Sequence, residues 1–171
     1  MALKRAIHRG ISFLAARIPA LADKLVDSFH PMSLDDVPWT KVAKPLEESR
    51  FAIVTTAGVH HRDQPPFDMA DKNGDPSFRI LDAETIETDY TITHDYYDHK
   101  DARNDLNVVL PLARLREMVA AGCIGAVAQQ HISFMGHIDG LHVQTLIHET
   151  APEAAALLKK NGVDAVLLTP A

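Results

Sequence analysis

A chain of 171 residues, 46% hydrophobic and 23% charged, is long enough to bury a real core and has the composition of an ordinary globular protein. Its formal charge of −6 argues against a general nucleic-acid or anionic-membrane surface, since those partners select basic patches. A single cysteine, Cys123, excludes an intramolecular disulfide or a multi-cysteine zinc site within this sequence and fits a reducing compartment.

One domain over 1–171 is expected, headed by a helical segment over 1–30. The stretch "MALKRAIHRGISFLAARIPALADKLVDSF" places Lys4, Arg5 and Arg9 ahead of Ile11, Phe13 and Leu14, as the first region of a signal peptide would. Arg17, Asp23 and Lys24 interrupt the apolar run, no small-residue cleavage site follows, and nothing reaches the length of a membrane span. Leu14, Ile18, Leu21, Leu25 and Phe29 recur at helical spacing and predict an amphipathic helix ending near His30-Pro31. A basic membrane-surface helix is the alternative. A cytoplasmic protein is expected. The Pro-punctuated connection that follows carries Trp39, expected to pin it to the core.

"RFAIVTTAGVH" predicts a buried strand, Phe51 to Thr55, with Gly58 permitting a sharp turn. The polar, Pro- and Asp-rich "HRDQPPFDMADKNGDPSF" reads as a long loop, a class that is often functional. "DYTITHDYYDH" predicts a second strand, Tyr90 to Thr93, running into a polar loop up to Asn107. In "LPLARLREMVAAG", Pro111 suits a helix start, Leu112, Leu115 and Val119 form an apolar face, and Gly122 suits the cap. "IGAVAQQHISFMG" predicts a strand pair, or a strand and a bend. A helix from about Ala151 ends at Asn161-Gly162, and Val163 to Thr169 forms a last buried strand. This alternation predicts an α/β fold, an open, mainly parallel sheet flanked by helices.

Ten histidines is a high count, and several follow predicted strands directly. His60 and His61, with Asp63 close behind, follow the first strand. His94 and Asp95, then Asp98, His99 and Asp101, follow the second, and His131 and His137 flank "ISFMG". If the sheet is parallel, the first two strand ends open on one edge and their loops converge at one crevice. His60, Asp63, His94, Asp95 and His131 are therefore candidates for substrate binding or acid/base chemistry. A metal would need three or four ligands at one point, and no compact motif provides them, so no metal is assigned. The plainer alternative is that these side chains satisfy backbone groups at strand ends. Tyr96-Tyr97 reads as loop packing, Phe134 and Met135 as core filling, and Cys123 at a helix end as inert. No dinucleotide, Walker or nucleophile-elbow motif occurs, and no cofactor is evident.

"TTAGVHHRDQPPFD", "GDPSFRIL", "HDYYDHKDARNDLNVVLPLARLREMVAAGCIG", "HISFMG" and "GVDAVLLTP" occur in this order over roughly residues 50 to 171. Together they resemble the selenoprotein B family of glycine/sarcosine/betaine/D-proline reductases, in its short stand-alone form. In that family a strand ending Leu-Thr-Pro-x leads into a selenocysteine or cysteine, with a second cysteine a few residues on. The resemblance therefore implies that the redox residue belongs immediately after Ala171. A selenocysteine codon read as a stop would end the record there, leaving the C-terminal part missing and this product inactive alone. A selenol ionises more readily than a thiol, and a second thiol can resolve its adduct. The resemblance further implies a small amino-acid-like substrate, a thiol electron donor and reductase-complex subunits as partners, with neither nucleic acid nor membrane. The large complexes include a pyruvoyl-bearing subunit that holds the amino substrate; nothing here encodes one, so the short form is open to a different reduction. Two other readings stand beside this one: a His/Asp metal-binding hydrolase, and a non-catalytic binding or assembly subunit of the same fold.

Overall fold

The computed structural model describes residues 7, 10, 11, 13–15, 17–27 and 40–171. Two compact units can be distinguished: Met1–Val42 with Asp95–Asp98, and Ala43–His94 with His99–Ala171. In the first, helix α1 spans Pro19–Asp27, and residues 10, 11 and 13–15 are also helical. Helix is interrupted at Arg17 and Ile18 because the residue before a proline is pushed out of the helical region, while Pro19 itself suits a helix start. The single predicted helix is thus at least two pieces. Arg17 lies over the Phe13 ring, 3.5 Å from its centroid, and pairs with Asp98 at 3.1 Å. Phe29, the helix end near His30-Pro31, and Trp39 lie outside the described residues. Among the described residues, no helix is long and apolar enough to cross a membrane.

The second unit is built on strand β1, Arg50–Thr55. β2 (Val59–His61), β3 (Phe78–Asp82) and β4 (Tyr90–Ile92) follow, then helices α2 (Lys100–Asn104) and α3 (Leu112–Ala120). β5 (Ala126–Val127) and β6 (Gln130–Phe134) precede α4 (His142–Thr145). A π-helical turn, Leu146–Thr150, leads into α5 (Ala151–Lys160), and β7 (Ala165–Thr169) closes the fold. β5, β6 and β7 all run parallel to β1, and β3 joins β6 antiparallel. The sheet is therefore open and mainly parallel, flanked by helices, as the alternation of elements predicts. On one face Ala52, Ile132 and Phe134 meet Ala154 and Leu158 of α5 in a buried cluster. Successive side chains alternate across a strand, so Ile53 and His131 point to the opposite face.

Three elements depart from the expectations. Phe78–Asp82, placed in the long loop and its sequel, is a strand because every one of its residues pairs with β6. The short polar-flanked run carries little periodic signal, and its partners lie 48 (Asp82 to Gln130) to 56 (Phe78 to Phe134) residues further along the chain. Lys100–Asn104 is a one-turn helix rather than loop. β4 does not enter the main sheet at all; it pairs antiparallel with β2 in a separate ribbon. The stretch "HRDQPPFDMADKNGDPSF" is irregular between His61 and Phe78 and is fastened by Arg79. That guanidinium donates to the carbonyls of Pro65 and Pro66 and lies 4.3 Å from the Phe67 centroid.

The strand pair expected in "IGAVAQQHISFMG" is one strand path with an interruption. β5 pairs Arg50 with Ala126, whereas β6 pairs Val54 with Ile132, so two extra residues are accommodated between the two ladders. The Ile53 N–H would lose its partner at this break. It donates instead to Nδ1 of His131 at 2.9 Å, with His131 fully buried. Accepting that bond leaves Nδ1 without a proton, so the neutral ring carries its proton on Nε2. Burial, followed by the nearby Arg116 charge, pushes the His131 pKa down to about 4.

His131 ties stability to pH. Its pKa is about 6.5 when unfolded and about 4 when folded, so the unfolded chain takes up the proton first. The contribution is complete above pH 6.5 and is lost as the pH falls toward 4, with a slope approaching ~1.4 kcal/mol per pH unit. Denaturant titrations across this window should show the loss, and His131→Leu should remove that component. The same variant leaves the Ile53 N–H unsatisfied and should cost about 1–3 kcal/mol at neutral pH. His131→Asn, which retains an acceptor, should recover part of that stability.

Candidate functional site

The carboxyl ends of parallel strands are where α/β sheets place their sites. Here the chain after β1, the chain after β6 and the chain after β7 meet at that edge. Thr56 N–H donates to the Thr169 carbonyl at 3.1 Å, and the Ala171 N–H donates to the Thr56 hydroxyl at 3.0 Å. Thr169 donates its own hydroxyl to the Val109 carbonyl at 2.8 Å. Residues 169–171 are thereby stitched to the β1 end by paired threonines.

Gly136 lies directly after β6 and marks where three groups converge. A β-carbon at this position would fall 3.0 Å from the Ala171 carbonyl oxygen, 3.0 Å from that of Thr56 and 3.3 Å from Nε2 of His94. The glycine is itself solvent-exposed, so the narrow crevice left by its missing side chain lies at the protein surface. The absent side chain is what lets an imidazole edge and two backbone segments approach one another.

His94 reaches this crevice by a route other than the predicted one. Its strand is not part of the parallel sheet built on β1. The chain turns at Gly58, whose φ of +67° suits a residue without a β-carbon. Thr93 N–H then donates to the Gly58 carbonyl at 2.9 Å, and a β-carbon on Gly58 would lie 2.4 Å from the Thr93 carbonyl oxygen. That close approach seats Thr93 and His94 against the end of β1. The His94 ring is buried and meets His99 edge to face, with centroids 6.4 Å apart. Arg103 approaches His99 Nδ1 at 3.4 Å, and since arginine only donates, that nitrogen is the acceptor.

The other sequence candidates divide. His60 lies in β2, not in a loop, because Val59 to His61 pair with β4. Its Nδ1 faces the His61 carbonyl at 2.8 Å, which fixes the proton there and leaves Nε2 to accept from the Thr93 hydroxyl at 2.9 Å. Burial lowers its pKa. Both ring nitrogens are thus engaged in holding Thr93, the residue before His94. Asp63 is exposed in the turn after β2. His131 stands inside the strand break, and Asp95 is buried and belongs to the other unit. Within its unit the structure therefore brings His94 to the crevice and His60 behind it, and places Asp63 and His131 elsewhere. Thr56 and Gly136 are not among the residues the sequence singles out; a glycine directly after a strand in "SFMG" is the signal that marks the edge. Among the described residues, no group of three or more His, Cys, Asp or Glu side chains is disposed to hold a metal ion.

Chemically, this edge offers the buried imidazole of His94 beside two backbone carbonyls, next to the exposed Gly136. Such a ring can relay a proton to or from a group held at residue 171 or beyond, and its cation can stabilise an anion there. Gly136→Ala inserts a methyl group into contacts of 3.0–3.3 Å. It should shift the His94 ring resonances and the residue 169–171 amides in NMR spectra. The expected stability loss is about 1–3 kcal/mol, measurable by denaturant unfolding.

Comparison with known proteins places the chain. The family model described as "Glycine/sarcosine/betaine reductase selenoprotein B (GRDB)" matches residues 1–171. The D-proline reductase subunit gamma of Acetoanaerobium sticklandii is 40% identical over 131 residues, 77% of this chain and 52% of that protein. The glycine reductase complex component B subunit gamma of Carboxydothermus hydrogenoformans is 31% identical over 97% of this chain and 38% of its own length. The sarcosine reductase complex component B subunit beta of Peptoclostridium acidaminophilum is 28% identical over 97% of the chain and 37% of its own length. The chain thus spans about half or less of the length of these relatives. No solved structure matches it significantly. With the family model matching from end to end, the chain belongs to the glycine/sarcosine/betaine reductase selenoprotein B family.

Proposed function

We propose that this chain forms the carboxyl-edge scaffold of a thiol-coupled reductase subunit acting on a small amino-acid-like substrate. The redox residue, selenocysteine or cysteine, would follow Ala171 directly. The observation that carries this reading is the seat of Ala171, held by Thr56 at the mouth of a crevice whose wall is His94. A nucleophile joined there would emerge beside an imidazole, where its anion is favoured and where a proton can be delivered to a leaving group. Two electrons would pass from the selenol or thiol and a second thiol to the substrate. The resulting selenenylsulfide or disulfide would be reduced by an external thiol donor.

The relatives support a place among the subunits of a reductase complex, since three named glycine, sarcosine and betaine reductase proteins are complex components. The surface of β7 supports a covering segment at that edge. Val166, Leu167 and Leu168 are 40%, 38% and 70% exposed, and among the described residues β7 pairs only with β1. Parallel strands are ordinarily covered on both faces, so a further helix and strand are proposed to pack here. The hydrolase alternative needs a metal, and the described residues offer no ligand group for one.

Expression of the gene with its natural downstream sequence in medium containing radioactive selenium tests the reading. A longer, selenium-labelled product, or one with cysteine at the next position, is expected. An in-frame UAA or UAG codon after Ala171 would refute it. In the longer product, replacing the redox residue by serine should abolish thiol-dependent reduction of the family's substrates. His94→Asn should lower kcat by roughly a hundredfold while leaving the fold intact by circular dichroism.

A further inference from the structure

Beside the β2–β4 ribbon lies a cavity of about 380 Å³, bounded by β4 on one side and α2 with its following turn on the other. Two arginines, Arg62 and Arg103, are among the residues that line it, with Asn104 beside them in the lining. In a protein with a net charge of −6, two arginines at one cavity would be expected to find carboxylate partners. They do not. Neither forms an ion pair among the described residues, and no lining residue is acidic.

Both cations are held in place by contacts that leave part of each guanidinium available. The Arg62 N–H extends the ribbon ladder by donating to the Asp89 carbonyl at 2.9 Å, and its Nε donates to the Thr88 carbonyl at 2.9 Å. Its terminal nitrogens have no hydrogen bond among the described residues. Arg103 rides on α2 and touches His99 Nδ1 through one terminal nitrogen only. The rest of the lining is mixed: Thr88, Tyr90 and Thr91 stand beside Ile92 and Leu106, which are half-buried, and Ala102, which is buried.

We infer that this cavity is a binding site for the carboxylate of a small organic molecule. The arginine forks match a carboxylate bidentately, and pinning a guanidinium in advance lowers the entropy lost on binding. The Ile92–Leu106 wall accommodates an apolar body, which an inorganic anion would not use. The volume is that of a small-ligand pocket. The site stands on its own geometry, whether or not a redox residue follows Ala171.

Calorimetric titration of the 171-residue chain at low ionic strength tests this with three probes: cyclopentanecarboxylate, the corresponding amide, and inorganic phosphate. Saturable binding of the carboxylate is expected, with the Ile92 and Leu106 methyl resonances shifting in parallel and the neutral amide inactive. Arg62→Gln and Arg103→Gln, both at exposed positions, should each weaken binding roughly tenfold or more. Arg103→Lys should recover only part of the loss, since an ammonium keeps the charge without the fork. Equal binding of the amide would overturn the proposal. So would unchanged affinity in both glutamine variants, tighter binding of phosphate than of carboxylate, or no saturable carboxylate binding to the wild-type chain.

Discussion

The bond from the Ile53 N–H to His131 Nδ1 allows the rest of the sheet to be assembled as it is. β1 is the central strand, and its amides must be satisfied on both sides in a buried setting where an unpaired donor is costly. A partner path with two extra residues would ordinarily break that condition. The imidazole repairs it by acting as a stand-in carbonyl. The repair is useful because it decouples the two halves of the β5–β6 path. β5 keeps register with the start of β1, and β6 is free to place Met135 and Gly136 at the end of β1. A histidine suits the role because its ring offers an acceptor at the required reach and can remain neutral when buried. Arginine or lysine could supply no acceptor at all.

A second dependency runs from His60 to the crevice. His60 fixes the Thr93 hydroxyl, Gly58 accepts the Thr93 amide, and His94 follows at the point where Gly136 leaves room for its Nε2. Each member is ordinary in isolation. In series they transfer the position of β1 to an imidazole carried on a ribbon outside the main sheet. A histidine with both nitrogens engaged and a histidine at the crevice therefore have different duties, although they are buried to a similar degree.

Much of this was readable from residues alone, for physical reasons that differ by element. β1, α3, α5 and β7 are dictated by apolar periodicity and caps, which are local properties. The family was legible because its motifs fall in a fixed order over most of the chain. β3 was not, because five residues of mixed polarity become a strand only through the pairing with β6. The same holds for β4: Tyr90 to Ile92 reads as a sheet strand, but nothing in its residues says which partner it takes. The sequence reading placed His94 at the sheet edge on the premise of a parallel β4. The residue arrives there, but through the Gly58 contact. The position of His131 beside "ISFMG" suggests site chemistry, and no local pattern reveals that its ring fills a gap in the ladder.

The crevice and the exposed strand beside it are mechanically one object. β7 is held by β1 along one edge and by the threonines at its end, while its apolar side chains face solvent on both sides. Burying them would stabilise the strand through the hydrophobic effect, which requires no specific geometry. The position of Ala171, by contrast, depends on two hydrogen bonds and a glycine. A segment that covers β7 therefore supplies nondirectional energy to a strand whose end is set by directional contacts. It would sharpen the alignment of residue 171 against His94 without touching the crevice. Any cover over the β7 face would thus be coupled to the geometry at the carboxyl edge through five residues of backbone pairing with β1.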